Sequence, residues 1–109
     1  MSEDLAGLPK GWKVVRLGDI YEIRYGLGQP PERDNNGVPI IRATDIKQGR
    51  IISEGVIRVK REAIPVSRNP YLKDGDILVV RSGAYTGDVA MYDGRWQSAI
   101  AGYDLVASP

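Results

Sequence analysis

Cysteine and histidine are both absent from this chain, and together the two absences remove much of the chemistry a small protein can carry. Without cysteine there is no disulfide, no thiol nucleophile and no thiolate metal site, which suits a reducing compartment. Without histidine the commonest general base and the commonest metal ligand are gone, so hydrolase and zinc chemistries lose their usual residues. Long hydrophobic runs are missing too: no segment has the ~20 apolar residues of a membrane-spanning helix. The polar, acidic start at Met1–Asp4 does not read as a signal peptide. The expectation is a cytoplasmic protein with no metal, no cofactor and no membrane partner.

A strong overall charge is lacking as well. Fifteen basic residues face fourteen acidic ones for a net +1, so the balance favours no class of partner. Its distribution says more, because Arg42 to Lys73 holds eight basic residues against three acidic, a surplus of five. Such a segment suits a phosphate backbone and equally a solvated strand face.

At 109 residues and 42% hydrophobic, the chain has the size and composition of one domain. A frayed tail is expected over residues 1–7 and a folded unit over 8–109. Trp12 to Arg16 reads as a short half-buried strand, because Trp12 and Val14 alternate with Lys13. Leu17 to Ile23 has helical spacing and predicts one or two turns of helix. Tyr25 to Pro39, rich in Gly, Pro, Asn and Asp, reads as a long loop.

Ile40 to Ala43 predicts a strand, Gln48-Gly49-Arg50 a turn, and Val56 to Arg61 an alternating strand with Ile57 and Val59 inward. Glu62 to Arg68 is expected to begin a short helix that Pro65 keeps from lengthening. Ile77 to Val80 is a buried strand introduced by the turn Asp74-Gly75-Asp76. Val89 to Tyr92 is expected to pair with it, and Asp93-Gly94 to turn into a further strand at Arg95 to Ala99. Tyr103 to Pro109 is the last strand. The predicted fold is α+β: mainly β, with short mixed or antiparallel strands and one or two short helices.

Several apparent motifs dissolve on inspection. Ser82-Gly83-Ala84-Tyr85-Thr86-Gly87 lacks the Gly-Lys-Ser/Thr ending of a phosphate loop and precedes a strand instead of a helix. Gly26-Leu27-Gly28 has no third glycine and no βαβ context. Asn69-Pro70-Tyr71 is similar to the signature with which amino-methyltransferases hold a flipped base, but a proline is missing. Asp74, Asp76, Asp88 and Asp93 all flank glycines, where turns favour aspartate.

What remains is a vocabulary for reading bases. Arginine can bond both acceptors of a guanine edge, glutamine can do the same for adenine, and a threonine methyl packs on a thymine methyl. Arg42, Thr44, Lys47, Gln48 and Arg50 provide it in one loop region, and Arg81, Ser82, Tyr85 and Thr86 in another anchored by a rigid strand. For Arg24, Arg42 and Arg81 a salt bridge or a snorkelling surface role fits as well as a base contact.

Six ordered segments carry a resemblance. They are Leu8-Pro9-x-Gly11-Trp12; Leu17-Gly18-Asp19-Ile20; Tyr25-Gly26; Gly37-x-Pro39-Ile40-Ile41-Arg42-Ala43-Thr44-Asp45-Ile46; Gly49-x-Ile51; and Leu72-x-x-Gly75-Asp76-Ile77-Leu78-Val79-Val80-Arg81-x-Gly83. In this order they resemble the target recognition domain of the specificity subunit of type I restriction-modification enzymes, from about Leu8 onward. The resemblance implies a non-catalytic domain that reads half of a split double-stranded DNA target. Its implied partners are modification subunits that methylate adenine, with a restriction subunit joining them. The implied fold is akin to the small DNA-reading domain of adenine methyltransferases.

Such subunits usually carry two recognition domains separated by long helices. This chain stops before any such helix, so an incomplete C-terminus and self-association through an incomplete sheet are further expectations. Two other readings compete. One is a non-catalytic β module that binds a protein partner. The other is the core of a signal-peptidase or repressor-like serine protease, for which Ser67 lacks the usual context and no lysine follows Lys73.

Overall fold

The computed structural model describes residues 7–65 and 69–109; all but Gly7 of the expected tail at residues 1–7, and the protease candidate Ser67, lie outside them. Its largest sheet is antiparallel throughout, in the order β1 (Glu22–Tyr25), β9 (Leu105–Ser108), β6 (Ile77–Val79), β7 (Val89–Met91). The second sheet has β2 (Arg33–Ile41) at its centre, antiparallel to β5 (Ile57–Val59) and parallel to β8 (Ile100–Ala101). A hairpin, β3 (Ile46–Lys47) and β4 (Arg50–Ile51), forms a separate two-stranded sheet that packs against β7. One turn of helix, α1 (Leu17–Ile20), and two 3₁₀ turns, Ala43–Asp45 and Arg61–Ala63, are the helical content among the described residues. The architecture is mainly β, with short helices.

Strand alternation builds two cores. Within Ile77 to Val80, Leu78 and Val80 are buried while Ile77 and Val79 turn to the other face of the sheet. Leu78, Val80, Tyr92 and Val106 pack with Ile41, Ile46 and Ile51 in the first core. Ile40, Ile100, Val38 and Val59 form the second with Leu27 and Ile64. Consecutive residues Ile40 and Ile41 therefore point into different cores, and β2 joins them.

Four expectations need correction. Residues Trp12 to Arg16 form no strand: Trp12 is 70% exposed, its amide is tied back to the Pro9 carbonyl, and no neighbouring strand pairs with it. The expected helix from Leu17 to Ile23 ends at Ile20, because Glu22 to Tyr25 is a strand paired with β9. The long loop is shorter than its composition predicts, since Arg33 to Pro39 belongs to β2, with a bulge between Arg33 and Val38. Finally, Arg95 to Ser98 is not a strand. The Tyr92 hydroxyl donates to the Trp96 carbonyl at 2.7 Å and accepts from the Trp96 amide at 3.1 Å, and Arg95 reaches the Ile51 carbonyl at 2.8 Å. Those bonds fold the segment onto Tyr92 and β4.

Arg24 is a structural clamp. It donates to the carbonyls of Tyr71 (2.8 Å) and Asn69 (3.2 Å) and to the hydroxyl of Ser108 (2.5 Å), and lies 3.4 Å from the Asp76 carboxylate. Asp76, 1% exposed, also accepts the Lys73 amide. Asn69-Pro70-Tyr71 is thus tied by Arg24 to the large sheet and reaches the second one, where Tyr71 bridges to Ile100 and the Ala101 amide donates to the Pro70 carbonyl.

Candidate nucleic-acid interface

Hairpin β3–β4 presents the first group of candidate side chains. Gln48 (φ 52°) and Gly49 (φ 80°) both lie in the left-handed region, as a two-residue turn that matches strand twist requires. Ile46 and Ile51 are register partners anchored in the first core, so the tip is rigid while Lys47, Gln48 and Arg50 are exposed. Lys47 and Arg50 are themselves register partners. Directly opposed like charges repel, and neither side chain makes an ion pair among the described residues.

The 3₁₀ turn before the hairpin holds Arg42 and Thr44 differently. The Asp45 carboxylate is buried, accepts the Arg42 amide at 2.9 Å and lies 3.5 Å from the Arg42 Nε. Arg42 also donates to the Gly55 carbonyl at 2.9 Å. One guanidinium nitrogen is thus held by a backbone carbonyl, and Nε is buried beside the Asp45 carboxylate with no hydrogen bond among the described residues. Thr44 is exposed at the crest of the turn.

The second group follows β6. Gly87 donates to the Val80 carbonyl and Val80 to the Asp88 carbonyl, both at 2.8 Å, which closes Ser82 to Gly87 into a compact turn. Thr86 spends its hydroxyl on the Gly83 carbonyl at 2.7 Å. Ser82 and Tyr85 are exposed. Arg81 donates from Nε to the Tyr103 carbonyl at 2.5 Å, and its guanidinium lies 3.7 Å from the Tyr103 ring centre and 4.7 Å from that of Tyr25. Two aromatic faces orient this cation while its remaining N–H groups stay unused.

A cleft of about 410 Å³ brings the two groups together: Thr44, Lys47 and Gln48 line one side, and Tyr85 and Asp88 the other. A neighbouring cleft of about 310 Å³ runs from Arg42, Ala43 and Thr44 past Tyr103 to Gly28 and Pro30, so Thr44 borders both. Gly26 fixes that last loop. Its amide donates to the Asp104 carbonyl, and an added Cβ would stand 2.3 Å from the Gly102 carbonyl oxygen. Of the nine expected residues, Thr44, Lys47, Gln48 and Tyr85 share one cleft, Arg42 lines the other, and Arg50, Arg81, Ser82 and Thr86 line neither.

The basic segment is not one patch. Lys47 and Arg50 sit on the hairpin, while Lys60 is ion-paired with Glu32. Arg58 and Arg61 line a separate cleft of about 460 Å³ with Asn36, Pro39, Trp96 and Gln97. Arg68 lies outside the described residues. Sequence reasoning also missed Tyr25 and Tyr103, which meet Arg81 only because β9 lies between β1 and β6.

Asp104 is buried beside this region. Removal from water, followed by the neighbouring Asp45 carboxylate, pushes its carboxyl up to about 6, against the opposing pull of Arg81. Its Oδ2 is buried without a hydrogen-bond partner. No metal-ligating cluster occurs among the described residues, and no described helix is long and apolar enough to cross a membrane.

Residues 9–105 match the family described as the type I restriction modification DNA specificity domain. The chain belongs to that family. It is also 33% identical, over 109 residues, to a protein of Methanocaldococcus jannaschii described as a putative type I restriction enzyme MjaX specificity subunit. The alignment covers 94% of this chain and 25% of the relative, so the chain spans about a quarter of that protein's length. In this specificity domain the resembling strand Ile77 to Val80 is framework: it sits inside the large sheet and carries the turn with Tyr85 at its end.

Proposed function

We propose that this specificity domain reads part of a double-stranded DNA target, and that the Thr44–Gln48/Tyr85 cleft is where it meets the bases. The observation that carries the reading is the convergence of two separate candidate segments on that cleft. Gln48, at the rigid hairpin tip, has the donor and acceptor pair that matches an adenine edge, and Thr44 offers a methyl for thymine. The opposed Lys47 and Arg50 lower their mutual repulsion when phosphates approach, so they serve the backbone. Arg81, stacked between tyrosines, is a further oriented cation. Arg42 and Thr86 act by shaping the loops, the Arg42 guanidinium through the Gly55 carbonyl and the Thr86 hydroxyl through the Gly83 carbonyl.

On this reading the domain itself is non-catalytic and works in the cytoplasm. Modification subunits that methylate adenine, joined by a restriction subunit, perform the chemistry at the site it selects. Its fold is then akin to the small DNA-reading domain of adenine methyltransferases. A pull-down of modification subunits by the purified chain, with and without duplex, tests the assignment. Capture that improves with duplex is expected. A folded chain that binds neither duplex nor modification subunit contradicts it.

A further inference from the structure

The large sheet has two faces, and the described residues cover only one of them. Register places Ile23, Ala107, Ile77 and Met91 in one row across its four strands, and Tyr25, Leu105, Val79 and Val89 in the next. All eight are apolar, on the face opposite Leu78, Ala90 and Val106 of the first core. Ile23 is 48% exposed, Tyr25 59%, Val89 46% and Met91 62%, so no described element lies over the ends of these rows. Past the second row Arg81 follows Val79 and stacks on Tyr25 and Tyr103, and past Met91 comes the exposed Asp93.

The face leaves on the order of 500 Å² of apolar surface open, in the upper part of the roughly 300–600 Å² of the largest patch on an ordinary monomer. We propose that this face is an interface between two copies of the chain, packed sheet against sheet about a two-fold axis. Two such faces in contact remove about 1,000 Å² from water, at the low end of what specific association needs. Leu17 and Ile20 of α1, exposed next to β1, extend the patch beyond that. A two-fold interface must be complementary to itself, and the eight uncharged side chains of the two rows meet their own copies without repulsion, with Arg81 at the margin over Tyr25. Ala107, 6% exposed, leaves a shallow depression between Ile23 and Ile77, and the flexible Met91 of the facing copy fills it. The contact is through the face, not through an unpaired strand edge, and it does not depend on the DNA reading.

Sedimentation equilibrium on the intact chain, with variants Met91→Glu and Ile23→Lys at opposite ends of one row, tests this. Both side chains are exposed, so the variants keep the parent's circular dichroism. The parent is expected to pass from monomer to dimer with rising concentration. Each variant is expected to weaken the dimer by about tenfold or more, because a charge is then buried. Replacing both Lys47 and Arg50 with alanine is expected to leave the dimer unchanged. A parent that stays monomeric throughout overturns the proposal and gives the face to another occupant. A dimer that withstands Met91→Glu and Ile23→Lys, or one that weakens with added sodium chloride, overturns it as well.

Discussion

Lys47 and Arg50 face each other as register partners across the β3–β4 turn, with no acidic side chain paired to either. Two cations held opposite one another cost the free protein a little stability and give an anion a prepared seat. Lys47→Ala is therefore expected to leave folding stability unchanged or raise it by up to about 0.5 kcal/mol, while weakening duplex binding. Urea unfolding and fluorescence anisotropy on the same samples check both halves.

Arg81 gives a second test, because its contacts separate charge from orientation. Tyr103→Phe keeps the ring and the accepting carbonyl, so duplex binding is expected to be unchanged. Tyr103→Ala removes the closer stacking face and is expected to weaken binding severalfold without touching a charge. Arg81→Lys keeps the charge but loses the planar stack, and is expected to behave like Tyr103→Ala. Anisotropy titrations of the three variants rank them.

The clamp at Arg24 belongs to folding, not recognition. Arg24→Ala leaves Asp76 as a buried carboxylate without its cation and is expected to cost about 3 kcal/mol or more. Arg24→Lys is expected to recover only part of that, since one ammonium cannot span the acceptors that the guanidinium reaches. Urea denaturation midpoints measure both.

Asp104 predicts a pH dependence of a definite sign. Its carboxyl is raised to about 6 in the folded protein from an ordinary value of 3.8, so between those values the folded state holds more protons than the unfolded state. Its contribution to stability therefore falls as pH rises through that window and is constant above it. Asp104→Asn, which cannot ionise, is expected to stabilise the protein at pH 7.5 and to have little effect near pH 4. Urea unfolding at the two pH values reads the difference.

How much of this was legible in the sequence depended on how local the signal was. The run Ile77 to Val80, its pairing with Val89 to Met91, the inward Ile57 and Val59 and the turn at Gln48-Gly49 all follow from nearest-neighbour patterns. Residues Arg33 to Pro39 were hidden because Asp34, Asn35, Asn36 and Gly37 have turn composition, and only the distant β5 makes them a strand. The Arg95 segment was misjudged because a Tyr92 hydroxyl, invisible to any periodicity, takes its backbone groups. In the candidate site the residue types were readable, but their commitments were not. Arg42 is occupied by the Gly55 carbonyl and Thr86 by the Gly83 carbonyl, and backbone acceptors leave no mark in a sequence. The aromatic seat of Arg81 required three strands to be neighbours.

On the proposed reading the hairpin cations meet a phosphate backbone beside the cleft. Duplex affinity measured against salt concentration, for the parent and for the variant with alanine at both Lys47 and Arg50, tests it most directly. A steep fall in affinity with salt is expected for the parent, and a log–log slope smaller in magnitude by about 2 for the double variant. Equal slopes for two folded proteins, or duplex binding indifferent to salt, would contradict it.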